Sequence, residues 1–157
     1  MDLNITVLAS AESDIPSILE IETDSQPEPW TENSFREELG RASLFVARPT
    51  ADASSPCPVP ADIAGFICFW SVCDEVQVLN IAVRKSMRRK GIARALLDFA
   101  IETGQIRRAR VATLEVRKSN LAARGLYESM GFRITGKRPG YYGVRTESAI
   151  LMELDIP

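Results

Sequence analysis

The apolar positions of this chain change period several times, and each change marks an element. "NITVLAS" alternates apolar and polar residues, the period of a strand. In "AESDIPSILEIE", Ile15, Ile18, Leu19 and Ile21 recur at helical spacing, and Pro16 sits near the start, where a missing N–H does little harm. "EPWTENSFREELG" predicts a second helix. Thr31 is placed to cap it, Trp30 and Phe35 fit the two ends of a hydrophobic staple, and Gly40 stands where a C′ glycine would sit. "SLFVAR", "IAGFICFWSVC" and "EVQVLNIAVR" read as strands rich in β-branched and aromatic residues. A tight loop at Cys73–Asp74 lets the last two pair as a hairpin. "PTADASSPCPVPAD", with four prolines, reads as a loop.

The second half continues the alternation. "GIARALLDFAIETGQ" is a helix with Leu96, Leu97, Ala100 and Ile101 on its apolar side. "RVATLEVR" is a strand, and "SNLAARGLYESMGF" is a helix ended by Gly131. "RITGKRPGYYG" and "ESAILMELDI" are two strands joined by an aromatic loop. The order β-α-α-β-β-β-α-β-α-β-β predicts an α/β (α+β) fold with a mixed sheet, not a doubly wound parallel one. A length of 157 residues suits one domain over 1–157, with the proline-rich loop near 49–62 as an insertion.

Composition removes whole classes of chemistry. There is no histidine, so a Ser-His-Asp triad, a Cys-His pair and any histidine-bearing metal site are excluded. Acid–base work falls to Glu, Asp, Tyr, Lys or Cys. Cys57, Cys68 and Cys73 are odd in number and lack close pairing, which suits a reducing, cytoplasmic setting and predicts no metal site. No apolar run approaches the roughly 20 residues that span a bilayer, and the first ten residues lack the basic start of a signal peptide. The net charge of −2 hides an asymmetry. Residues 1–40 carry ten acids and one base (−9), and the remainder carries eighteen bases and eleven acids (+7). An acidic end favours a cationic partner, although oppositely charged solvated faces account for it equally well.

"VLNIAVRKSMRRKGIARALL" concentrates the basic charge. It reads as strand, turn and helix. A helix N-terminus exposes unpaired N–H groups and partial positive charge, a site for an anion if the backbone can approach closely. Gly91 removes the Cβ that would stand in the way, and Ala93 keeps the next turn small. Arg84, Lys85, Arg88, Arg89, Lys90 and Arg94 surround it with no intervening acid. A plain turn glycine beside a solvated basic face is the competing explanation. The P-loop and dinucleotide fingerprints are both absent. A pI near 5.3 and a patch without aromatics argue against direct nucleic-acid binding.

"RRKGIA" fits R/Q-x-x-G-x-G/A, and "LEVRKSNLAARGLYESMGF" follows downstream. In these strings the chain resembles the GCN5-related N-acetyltransferases. "EPWTENSF", "LNIAV" and "RPGYY" are similar to the bacterial RimI-type subgroup, which acetylates the N-terminal alanine of a small-subunit ribosomal protein. The similarity covers nearly the whole chain. Ala93 stands where the motif often has a second glycine. The resemblance implies a mostly antiparallel sheet with a splayed central pair of strands flanked by helices, and acetyl-CoA as co-substrate without a metal. It also implies direct transfer to an α-amine. The backbone of Arg89, Lys90, Gly91, Ile92, Ala93 and Arg94 would hold the pyrophosphate. Ile81, Ala82 and Val83 would run beside the pantetheine, with one N–H polarising the thioester carbonyl. Asn120 would contact the cofactor.

The same resemblance makes Glu115 the general base and Tyr127 the general acid, also in contact with the cofactor. On the residues alone, Glu115 is a lone carboxylate between Leu114 and Val116, equally open to a surface ion pair with Arg117 or Arg110. Tyr127, between Leu126 and Met130, is equally a core tyrosine, and Asn120 equally a helix cap. Trp30 and Phe35, with Glu32 nearby, and Tyr141 and Tyr142 are candidates to line an acceptor-peptide groove. Two other functions stay open: acetylation of a small amine or a lysine side chain, and a non-enzymatic acetyl-CoA-binding module.

Overall fold

The computed structural model describes residues 4–50, 62–142 and 147–157. The body of the proline-rich stretch, with Cys57, lies outside the described residues. The elements follow the expected order. They are β1 (Ile5–Ala9), α1 (Ile15–Ser25), α2 (Glu32–Gly40), β2 (Leu44–Pro49), β3 (Gly65–Val72), β4 (Glu75–Val83), α3 (Ile92–Ile106), β5 (Val111–Arg117), α4 (Leu121–Ser129), β6 (Arg133–Tyr142) and β7 (Glu147–Asp155). Short 3₁₀ turns precede α1 and α3. The seven strands form one sheet in the order β1-β2-β3-β4-β5-β7-β6. Pairing is antiparallel at β1–β2, β2–β3, β5–β7 and β6–β7, and parallel at β4–β5. The α/β class with a mixed, mostly antiparallel sheet is therefore as expected. The parallel ladder runs from Glu75↔Val111 to Val78↔Leu114, while β4 continues to Val83 and β5 to Arg117.

The chain forms two compact units, Met1–Cys68 with Asn80–Phe99, and Phe69–Leu79 with Ala100–Pro157. In the first, Ile15, Ile18 and Ile21 of α1 are buried with Phe35 of α2, Val46 of β2, Phe66 of β3 and Leu96 of α3. Thr31 caps α2 by accepting a hydrogen bond from the Ser34 N–H at 3.1 Å. The staple also forms, with the Trp30 and Phe35 rings 5.3 Å apart. Gly40 differs from expectation. It is the last residue of α2, and the left-handed turn falls on Ala42, at φ +56°. The Arg41 N–H already bonds the Glu37 and Glu38 carbonyls, so the reversal is completed two residues beyond the glycine.

In the second unit, Val76, Ala112, Leu114, Val116, Phe132 and Met152 are buried. Gly104 of α3 packs so closely that an added Cβ would lie 2.4 Å from the Val76 side chain. Cys73 makes the β3–β4 turn at φ +55°, as the tight hairpin requires.

Candidate active site

The residues singled out from the sequence fall in both units. In the first unit, β4 delivers Asn80, Ile81, Ala82 and Val83 to the turn before α3. Ala82 is buried, while Ile81 and Val83 are half-buried. Gly65 of β3 lies directly against this segment, and a Cβ there would meet the Ala82 carbonyl oxygen at 2.7 Å. After Val83 the chain is clamped. The Arg84 guanidinium donates to the Ile63 carbonyl at 3.1 Å and pairs with Glu20 at 3.0 Å and Asp62 at 2.6 Å. Arg88 donates to the Val83 carbonyl at 3.2 Å and to Ser25 Oγ at 3.1 Å. Arg84 and Arg88 of the collar are thus engaged within the fold, a correction to the simple count of positive charge.

Gly91 follows at φ +79°, and its carbonyl accepts the Ala95 N–H at 3.1 Å, which makes it the N-cap of α3. Arg89 is also left-handed, at φ +65°. A Cβ built on Gly91 meets nothing within 4 Å. The glycine is needed for its backbone angle, and it also leaves open space above the first turn of α3. Ile92 anchors that turn in the core, Ala93 is half-buried, and Lys90 and Arg94 are exposed. This is the chemistry a pyrophosphate requires: main-chain donors at a helix start, a close approach and peripheral positive charge.

The acceptor candidates divide. Trp30 is half-buried. Phe35 is fully buried, packed edge-on against Phe66 with ring centroids 5.4 Å apart and against Trp30, so it has no surface to offer a peptide. Glu32 is exposed and pairs with Arg36 at 3.3 Å. The backbone of Tyr141 and Tyr142 closes β6 after a register shift; their side chains lie outside the described residues.

Sequence reasoning missed a buried acid in this unit. Glu22 is fully buried. Its Oε2 accepts from the Asn80 side-chain amide and from the Trp30 N–H at 3.4 Å, and its Oε1 has no partner among the described residues. Burial pushes its carboxyl above the ordinary range, against those two hydrogen bonds. The signal was present: Glu22 lies seven residues after Ile15 and four after Ile18, on the apolar stripe of α1.

In the second unit, β5 alternates as expected. Leu114 and Val116 are buried on one face, and Glu115 is on the other, its side chain 28% exposed. Its ion-pair partner is Arg138 of β6, at 2.9 Å, not Arg117 or Arg110. Arg117 pairs instead with Glu147 at 3.5 Å, and Glu147 accepts the Ser119 N–H at 2.9 Å; hydrogen bonds from the Ser119 side chain and then its N–H lower the Glu147 carboxyl. Asn120 caps α4, accepting the Ala123 N–H at 3.2 Å.

Tyr127 is set by the end of that helix. The Gly131 N–H reaches the Glu128 carbonyl at 3.0 Å, and the Phe132 N–H reaches the Tyr127 carbonyl at 3.0 Å. With Gly131 at φ +102°, this is a Schellman closure, and its hydrophobic contact is Tyr127 against Phe132, centroids 5.9 Å apart. Tyr127 is buried.

Other chemistry is limited. Among the described residues no group of His, Cys, Asp or Glu is placed to hold a metal ion, and no helix is long and apolar enough to cross a membrane. Cys68 is buried, and desolvation pushes its thiol up to about 12, so it is not a nucleophile at neutral pH.

Residues 15–132 match the sequence model of the Acetyltransferase (GNAT) family. The chain belongs to that family. A GNAT relative from Salmonella typhimurium, described as ribosomal protein bS18-alanine N-acetyltransferase, is 35% identical over 96% of this chain and 97% of its own. Among solved structures, the ribosomal-protein-S18-alanine N-acetyltransferase from Escherichia coli is 33% identical, with a TM-score of 0.81 over 98% of this chain and 94% of that one. Ard1 from Thermoplasma volcanium is 26% identical with a TM-score of 0.85, each chain covered to 98%. As a GNAT protein the chain is an acyltransferase.

Proposed function

We propose that this chain is one GNAT domain over 1–157 that transfers acetyl from acetyl-CoA to the α-amine of the N-terminal alanine of ribosomal protein bS18, in the cytoplasm. The observation that carries the acceptor is the whole-length match, 35% identical over 96% of the chain, to a relative described by that activity. The Gly91 turn supports acetyl-CoA as donor, with the backbone from Arg89 to Arg94 holding the pyrophosphate. Ile81, Ala82 and Val83 lie along the pantetheine, and Asn120 completes the cofactor contacts.

The amine attacks the thioester carbonyl carbon, and the carbon–sulfur bond then breaks. Glu115 takes the proton lost by nitrogen. An α-amine titrates near 7.7–8, so near neutral pH part of it is already neutral and a single proton remains to be removed. Tyr127 returns a proton to the leaving thiolate. A buried phenol held by a helix end is fixed in place for that donation. The Cys68 thiol, buried and held protonated by desolvation, does not serve as an acetyl carrier.

The test compares initial rates on a peptide with the bS18 N-terminal sequence against its N-blocked, lysine-bearing version. The free Ala peptide is expected to react and the blocked one to fail. Equal rates would assign the activity to lysine instead. Glu115→Gln is expected to lower kcat about 100-fold near pH 7, with the deficit narrowing above pH 8, where the amine is already neutral.

A further inference from the structure

Glu115 and Arg138 are not on neighbouring strands. The sheet order places β7 between β5 and β6, so the Arg138 side chain crosses a whole strand to reach the carboxylate. The register shows how. Glu115 is opposite Leu151, which is opposite Gly136, and Arg138 is opposite Ala149. Alternate residues share a face, so these side chains lie on the same side of the sheet. Ala149 offers Arg138 only a methyl group to pass. Gly136 lets Leu151 lie over it, and an added Cβ there would meet Leu151 Cδ1 at 3.1 Å. Nearby charges on this face have other partners. Arg117 pairs with Glu147 at 3.5 Å, and Arg133 pairs with Asp155 at 2.9 Å.

The Glu115–Arg138 pair does little for stability. Arg138 is 52% exposed, and solvent screens most of the attraction in so exposed a pair. A guanidinium held to one carboxylate oxygen has a stronger effect on orientation, because its donors have fixed directions. Nη2 takes Oε1, which leaves Oε2 for a proton.

We propose that Arg138 is a positioning residue for the transfer. It holds Glu115 by Oε1, so that Oε2 is turned to receive the proton from the acceptor amine. This inference rests on the reading of Glu115 as the base. It adds a residue from the C-terminal hairpin to the reaction, although that residue does not touch the reacting atoms.

Arg138→Ala is expected to lower kcat about tenfold, the scale of a misplaced catalytic group, while calorimetry shows acetyl-CoA affinity within about twofold of the parent. Arg138→Lys should recover part of the loss. Guanidinium at tens of millimolar should raise the rate of Arg138→Ala several-fold and leave the parent unchanged. A merely structural role gives a lower Tm and no rescue. In a Glu115→Gln background, Arg138→Ala should cost nothing more, since the two act as a unit. An unchanged kcat in Arg138→Ala, or a loss that neither Lys nor guanidinium relieves, overturns the proposal. If Glu115→Gln falls while Arg138→Ala does not, only the positioning role fails. If Glu115→Gln keeps full activity, the base assignment fails, and this role with it.

Discussion

Gly91 can be tested in a way that separates its two duties. Its φ of +79° is left-handed, and a Cβ there touches nothing in the protein. Gly91→Ala therefore adds no internal clash. What it adds is the left-handed penalty of a residue with a Cβ, about 1–2 kcal/mol. At this chain length that lowers Tm by roughly 2–8 °C. If the open space above the turn is where the pyrophosphate approaches, the Cβ also breaks at least one charge-assisted hydrogen bond. Each such bond contributes about 1.5–3 kcal/mol, so acetyl-CoA affinity should fall between about 10- and 150-fold. Gly91→Asn is the decisive companion, because asparagine tolerates the left-handed angle yet carries a Cβ. It should keep most of the Tm and still lose the affinity. Lys90→Ala removes one exposed charge and should cost about fivefold at most. Calorimetric binding at matched salt, with Tm from a thermal scan, reads both quantities. If Lys90→Ala and Gly91→Asn lose equal affinity, the collar's charge is the binder. If Gly91→Asn binds like the parent, the glycine serves backbone geometry alone.

Three further outcomes follow from the packing. Glu22 has its folded-state carboxyl raised by burial, so its favourable contribution is complete below the unfolded value and is lost as pH rises through the folded one. Glu22→Gln should therefore raise Tm at pH 7–8 relative to the parent and lose that advantage near pH 4; a lower Tm at pH 7.5 would contradict it. Gly104→Ala places a Cβ 2.4 Å from Val76, an overpacking cost of about 1–3 kcal/mol that outweighs the roughly 1 kcal/mol helix gain, so denaturant midpoints should fall. Gly125→Ala, inside α4 with nothing within 4 Å, should shift the midpoint the other way.

Local chemistry was legible in the sequence, and long-range pairing was not. Thr31 and Gly131 were readable because a cap or a C′ closure is decided within a few residues. The same holds for the Cys73–Asp74 turn and the alternation that exposes Glu115. Gly40 misled because glycine is permitted in the left-handed region but not obliged to enter it, and Ala42 does so instead. Phe35, a candidate for the groove on sequence, lies in the core, because the staple with Trp30 points its ring inward. The partners of Glu115 and Glu22 were out of reach. Arg138 arrives only because β7 inserts between β5 and β6, and Asn80 meets Glu22 from 58 positions away. The pattern of one strand carries no information on its spatial neighbour.

The Arg84 clamp has a thermodynamic consequence. With its guanidinium shared among Ile63, Asp62 and Glu20, the end of β4 loses its conformational freedom when the protein folds, before any ligand arrives. A binding loop ordered in advance imposes a smaller entropic penalty on its ligand. Releasing the clamp, as in Arg84→Ala, should leave the association enthalpy of acetyl-CoA nearly intact and make its entropy less favourable. The role of this arginine would then appear in calorimetry as entropy, although its charge suggests enthalpy.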